Sequence, residues 1–306
     1  MEYRQLGRTD LNVSALCLGT MTWGEQNSEA EAFAQIERAK SAGINFLDTA
    51  EMYPVPPKAD TYATTERYIG NYFKSRGDRA DWILASKIAG PGNTIDYIRD
   101  KNLRHNRQHI TEAVDASLKR LQTDYIDLYQ LHWPNRAAYH FRNIWNYDPR
   151  ASVKAEVEAH MFEMLQVAGD LVKAGKIRHI ALSNETVWGA ARWLSLAEAH
   201  GLPRMATVQN EYSLLCRWFD TDWAELSAME DMPLRRSLET DIVKMTRTVN
   251  QVLDIAELEV LVVDGNARAD LQNVCAEAVA FMAPLVVDSE RTIALTGAET
   301  ANFGVP

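Results

Sequence analysis

Between residues 13 and 230, short apolar runs alternate six times with longer segments of helical periodicity, and this alternation constrains the fold more than any other feature of the chain. The runs fall at 13–18, 44–49, 82–88, 125–132, 178–183 and 205–210. The first helical segment opens on Ser28-Glu29-Ala30-Glu31, the pattern of a capping box, and Gly43 closes it. Further helical segments follow at 64–76, 107–122, 153–175, 186–200 and 220–230. Strands separated by helices cannot fold back on each other as hairpins. They lie parallel in one sheet, with the helices crossing its faces.

The runs are nearly unbroken in apolar residues instead of alternating, so both faces of the sheet must be covered. The fold class expected is α/β, a (β/α)8 TIM barrel of parallel strands with an atypical last quarter. An open doubly wound sheet is the alternative, against which stands the lack of a GxGxxG turn after the first run. A chain of 306 residues, 46% of them hydrophobic, can bury one large core, so a single domain over 1–306 is expected. The formal charge of −10 and the lack of a Lys/Arg-dense run exclude nucleic acid or an anionic membrane as the main partner. Neither a signal peptide nor a membrane span is indicated, and a cytoplasmic protein is expected, monomeric or homo-oligomeric. Cys17, Cys216 and Cys275 form no CxxC pair and are expected to be reduced and mostly buried.

Chemistry concentrates where the runs end. Asp48, Lys87 and His132 each stand at the C-terminal end of a different run, and Tyr53 follows Asp48 in a Pro-rich turn. In a parallel barrel those positions meet at one mouth. Ser183-Asn184 and Gln209-Asn210 end the fifth and sixth runs with amides and a hydroxyl, groups suited to a carboxamide but also ordinary helix caps and turn formers. His105 and His109 have the i,i+4 spacing of one helix face, yet no third ligand accompanies them; no metal is expected, and both read as solvated. After the fourth run, Tyr139, Phe141, Trp145 and Tyr147 suggest either a lid or a satellite cluster on the surface.

These residues carry a resemblance. The segments Leu16-Cys17-Leu18-Gly19-Thr20-Met21-Thr22-Trp23-Gly24, Asn45-Phe46-Leu47-Asp48-Thr49-Ala50-Glu51-Met52-Tyr53 and Leu84-Ala85-Ser86-Lys87 are similar to aldo-keto reductases, in particular to their bacterial Tas-like branch. So are Tyr125 to Pro134, Gly175 to Arg178, Leu182 to Glu185 and Gln209 to Leu215, in order from about residue 1 to about residue 231. The resemblance implies reduction of small aldehydes or ketones with NADPH, NADH being the other candidate nucleotide. Tyr53 would be the general acid. Lys87 would lower the phenol pKa from its reference of about 10, Asp48 would fix Lys87, and a neutral His132 would polarise the carbonyl. Ser183, Asn184 and Gln209 would contact the nicotinamide carboxamide with Gly19 and Thr20 close by, and Trp23 and Trp133 would wall the substrate pocket. The alternative is a non-catalytic barrel of the same fold that works through protein contact.

From Met232 onward the resemblance stops, and 232–306 is a divergent C-terminal segment. It offers helices near 238–257 and 267–282, β-like runs at 260–263, 285–287 and 292–295, and a Thr296-Gly297-Ala298-Glu299 turn. Arg235, Arg236, Lys244, Arg247 and Arg268 are its candidates for a 2′-phosphate.

Overall fold

The structure, a computed structural model, describes residues 1–230 except 93–94, 142 and 214–215. The late helices, runs and basic residues expected beyond residue 231, and the closing of a single domain by them, lie outside the described residues.

Six parallel strands form one sheet in sequential order: β3 (Leu18–Gly19), β4 (Phe46–Asp48), β5 (Ile83–Ile88), β6 (Ile126–Leu131), β7 (Ile177–Ser183) and β8 (Val208–Gln209). They are strands of a (β/α)8 barrel, and sequential neighbours in one parallel sheet are what right-handed βα units produce. The crossings are made by α1 (Glu29–Ser41), α2 (Thr64–Arg76), α3 (Arg107–Leu121), α4 (Lys154–Lys173) and α5 (Val187–His200), and α6 (Asp222–Glu230) follows β8.

Local chemistry sets the helix ends. The Ser28 hydroxyl accepts from the Glu31 amide while Glu31 takes the Ser28 amide at 2.7 Å, which makes the predicted capping box real. Gly43, at φ +80°, takes the left-handed turn that closes this unit. Asn106 and Thr186 cap α3 and α5 in the same manner.

The sheet sorts its side chains by the alternation of strands. Leu47, Leu84, Tyr129, Leu131, Ile180 and Leu182 point outward and pack with Ile36, Ile69, Val114, Leu165 and Trp193 of the helices in the main core. Each such large apolar side chain contributes about 1.5–3 kcal/mol on burial. Phe46, Ala85, Leu128, Ala181 and Ala206 point inward and meet Leu6. Helices α2 and α3 approach until their backbones nearly touch at Gly70, where an added Cβ would stand 2.1 Å from the Arg120 carbonyl oxygen.

The first apolar run is not one strand. Its start pairs antiparallel as β2 (Asn12–Ser14) with β1 (Tyr3–Gln5), and only its end joins the barrel as β3. Ser14 turns the chain between them, its amide donating to Asn45 Oδ1 at 2.7 Å and its hydroxyl to the Leu16 carbonyl at 2.6 Å. The hairpin thus carries Leu6 into the inner core, at the end of the barrel away from the catalytic candidates. The sixth run also contracts, to Val208–Gln209, with Met205 and Ala206 serving the core from outside the strand. Cys17 is exposed and Cys216 half-buried, against the expectation of burial, and Cys275 lies outside the described residues. Leu18 takes the outward position in the core, which turns Cys17 to the concave face.

Candidate active site

Strand alternation places Asp48, Lys87, Gln130, Ser183 and Gln209 inside the sheet, one layer above Phe46, Ala85, Leu128 and Ala181. Asp48 is where they converge. Lys87 Nζ donates to its two carboxylate oxygens at 2.7 and 2.6 Å, Gln130 Nε2 to Oδ1 at 3.2 Å and Gln209 Nε2 to Oδ2 at 3.2 Å. Four strand steps separate β4 from β8, about 19 Å in a flat sheet at roughly 4.8 Å per step. A direct hydrogen bond over that interval requires the sheet to curl strongly.

Lys87 is fully buried, and its third partner is the Thr49 carbonyl at 2.9 Å. Desolvation opposes its charge, but Asp48 outweighs that cost and the ammonium pKa is raised. Lys87 therefore remains a charged ammonium beneath the site, held in place by Asp48.

Tyr53 and His132 cover this pair. The Tyr53 ring centroid is 5.1 Å from Lys87 Nζ, and the rings of Tyr53 and His132 meet edge-on with centroids 5.7 Å apart. The net direction of the Tyr53 shift differs from the sequence expectation. Burial pushes the phenol pKa up, and the nearby Lys87 only partly offsets it. Tyr53 is thus held as a phenol. Burial, reinforced by Lys87, holds the His132 pKa well below the ordinary value, so the ring is neutral, as expected.

The other candidates divide. Ser183 is buried and accepts from Asn184 Nδ2 at 3.1 Å; that amide also donates to the His132 carbonyl at 2.9 Å, tying β7 to β6. Asn184 adopts φ +48°, a conformation that asparagine tolerates better than most residues. Thr20 is buried and donates to the Asp48 carbonyl at 2.8 Å. A Cβ placed on Gly19 would meet nothing within 4 Å. Trp133 stacks obliquely on His132 with centroids 4.9 Å apart and donates to the Pro91 carbonyl at 2.8 Å. Trp23 is elsewhere: fully buried in the outer core, its indole N–H is on Gln35 Oε1 at 2.8 Å, so it walls no pocket.

Three features escaped the sequence reading. Gln130 shares His132's face by strand periodicity, a signal that was there to be used. Glu51 is buried between Asp48 and Tyr53, accepting from the Ala89 amide at 2.6 Å and from both Arg99 terminal nitrogens at 2.7 Å. Ile95, Ile98 and Leu103 of the arginine's segment pack with Ala50, Met52 and Tyr53, so this fork fastens the segment over the tyrosine. His105 and His109 are buried, not solvated, and they do not share a helix face because α3 begins at Arg107. His109 Nδ1 lies 2.7 Å from the Arg104 carbonyl. Of the aromatic segment, Phe141 packs edge-on against Trp133 at 5.5 Å and Tyr139 against Tyr147 at 5.8 Å, while Trp145 is 92% exposed. One part of it therefore adjoins the site and another faces solvent. No helix among the described residues is long and apolar enough to cross a membrane.

A curled parallel sheet with an Asp–Lys pair, a tyrosine and a neutral histidine at its C-terminal mouth defines a class, and a comparison with known families agrees with it. Residues 15–234 match the Aldo/keto reductase family, and the chain belongs to that family. It is similar to Protein tas of Escherichia coli (strain K12), 46% identical over 234 residues that make up 76% of this chain and 66% of that protein. It is also similar to the uncharacterized oxidoreductase YrpG of Bacillus subtilis (strain 168), 34% identical over 79% of this chain and 65% of that one. Aldo-keto reductase YhdN of the same organism is 33% identical over 71% of this chain and 55% of its own length. The chain thus spans just under two thirds of its first relatives.

Proposed function

We propose that this chain reduces small aldehydes or ketones to alcohols with NADPH, or with NADH in its place, and that Tyr53 is the general acid. The observation that supports this reading best is the placing of Tyr53 over Lys87, which is held on the buried Asp48 carboxylate, with the His132 ring edge-on to Tyr53. A bound nicotinamide would supply hydride to the carbonyl carbon. Tyr53 gives its phenolic proton to the oxygen as charge develops there, and Lys87 stabilises the phenolate left behind. Neutral His132 donates a hydrogen bond to the same oxygen and holds it against Tyr53. Asp48 keeps Lys87 in place and charged. Ser183, Asn184 and Gln209 would hold the carboxamide. Gln209 now donates to Asp48, which leaves its amide oxygen for a ligand N–H. Trp133 and Phe141 give the carbonyl's substituent an apolar wall.

The test is titration of the purified protein with NADPH, beside NADH, by quenching of tryptophan fluorescence, followed by turnover of 4-nitrobenzaldehyde. Binding should be unchanged in Tyr53→Phe while turnover falls at least ~10²-fold, the usual minimum for a general acid. Folded wild-type protein that binds neither nucleotide would refute the enzymatic reading and favour a non-catalytic barrel acting through protein contact.

A further inference from the structure

Two walls of the site rest on one buried ion pair. Glu51, only 1% exposed, reaches the end of β5 twice: its amide donates to the Lys87 carbonyl at 3.1 Å, and its Oε1 accepts from the Ala89 amide at 2.6 Å. The carboxylate thus stands in for one more residue of a strand, and it fixes the turn that carries Tyr53 against the strand that carries Lys87. Arg99 completes the arrangement. Its terminal nitrogens donate to the two Glu51 oxygens at 2.7 Å, and Nη2 also reaches the Ala89 carbonyl at 3.3 Å. The Arg99 backbone stands at φ +45°, a conformation that residues other than glycine seldom adopt and that persists only where the surroundings hold it.

From this fork, contacts run to both sides of the space between Tyr53 and His132. On one side, Ile95, Ile98 and Leu103, which flank Arg99, pack with Ala50, Met52 and Tyr53. On the other, Ala89 leads into Gly90 and Pro91, which seat Trp133. A Cβ added to Gly90 would stand 2.6 Å from the indole, so backbone lies directly against the ring, and the Pro91 carbonyl accepts the indole N–H at 2.8 Å. Trp133 leans on His132 with centroids 4.9 Å apart, and the His132 amide donates to the Ile88 carbonyl at 3.0 Å, one residue before Ala89. The segments that follow β4, β5 and β6 therefore share one support. A buried ion pair adds little stability over apolar residues of the same volume. What it supplies and they cannot is direction, through hydrogen bonds of fixed geometry.

Building on the function proposed above, we propose that Arg99 and Glu51 are positioning residues that set the gap between Tyr53 and the His132–Trp133 pair, and with it the approach of the carbonyl oxygen to its acid. The gap is 5.7 Å between the Tyr53 and His132 ring centroids. Proton transfer needs the phenol within about 2.6–3.2 Å of the oxygen, and a misplacement of about 1 Å can cost about 10²-fold. The fork acts on this chemical step. Ser183, Asn184 and Gln209, on and beside β7 and β8, lie outside the segments it supports.

The experiment compares wild type with Arg99→Lys, which keeps the charge but not the fork, and with the double variant Glu51→Met with Arg99→Met, which cuts the side-chain ties without stranding a charge. Circular dichroism shows that each is folded. In protein labelled with ¹³C-tyrosine and ¹⁵N-tryptophan, signals are assigned with Tyr53→Phe, Trp133→Phe and Trp193→Phe samples. The Tyr53 ring and Trp133 indole N–H resonances should both move in the double variant, while the indole of Trp193, held on Glu185 by α5, stays in place. A Tyr53 or Trp133 signal that does not move, or a Trp193 signal that moves with them, overturns the proposal. This readout decides the matter even if wild type turns nothing over, a result that would count against the proposed function instead. In the active enzyme, hydride transfer in a single turnover, counted per nucleotide-binding site, should fall roughly tenfold or more in the double variant with NADPH affinity unchanged, and Arg99→Lys should fall between the two. An unchanged rate per site, with only fewer sites that bind nucleotide, would assign the fork a purely structural role and overturn the proposal.

Discussion

His105 makes the fold sensitive to acid by an amount that can be worked out. In the folded protein its ring stays neutral down to about pH 3, because burial disfavours the charged form and His160 adds to the effect. In the unfolded chain the same ring titrates near 6.5. Above pH 6.5 both states are neutral and the group contributes nothing to pH dependence. Below it the unfolded chain gains a proton that the folded chain refuses, so stability is lost as pH falls, levelling off only near pH 3. At pH 5 the unfolded ring is about 97% protonated, and the loss is about 2 kcal/mol relative to pH 7.5. The assay is guanidinium unfolding followed by tryptophan fluorescence at pH 7.5 and 5.0, for wild type and His105→Phe. His132, His140 and His160, also held down by burial, titrate in both proteins and cancel to first order. On going to pH 5.0, wild type should lose about 2 kcal/mol more than His105→Phe. If the gap between the two proteins is the same at both pH values, His105 is not buried and neutral as described.

Three further outcomes are expected. Glu51→Gln leaves Arg99 buried without its counter-charge and should cost about 3–5 kcal/mol, read as a lower denaturation midpoint; a loss under 1 kcal/mol would show that the fork is not closed in solution. Gly70→Ala drives a methyl group into the Arg120 carbonyl and should destabilise by about 1–3 kcal/mol or more, whereas Gly77→Ala, strained only by its φ of +69°, should cost no more than about 1 kcal/mol; equal losses would contradict the contact between α2 and α3. The Cys17 thiol, although exposed, is pushed well up in pKa by the protein around its concave position and by Asp48, so at pH 8 iodoacetamide should modify it at least roughly tenfold more slowly than a free cysteine, measured by mass spectrometry of its peptide.

The helices were readable because their signals are local. Ser28 and Glu31 stand one turn apart, and Gly43 can take a backbone angle that other residues resist. The strand ends were readable because parallel order alone brings Asp48, Lys87 and His132 to one rim. What failed depended on partners distant in sequence. The 13–18 run looks uniform until Asn45 bonds to Ser14 and divides it. Trp23 sits beside motif residues, but its direction is set by Gln35 on α1. Glu51 finds Arg99 across a separation of 48 residues, which no periodicity encodes. The Tyr53 pKa was misjudged for a related reason: its neighbour Lys87 could be inferred, whereas the burial that outweighs it is a property of the assembled fold.

The carboxylate of Asp48 draws donors from β5, β6 and β8 onto β4. Each donor reaches it only if the intervening strands are already bent, so the chemistry and the curvature of the sheet are one arrangement of atoms. A loosened form that keeps its helices and strand pairs but relaxes the curl would look folded by circular dichroism and would have no acid at the mouth. For the reduction proposed above, turnover is then a gauge of curvature, and on gradual addition of denaturant it should vanish while the helical signal is still intact.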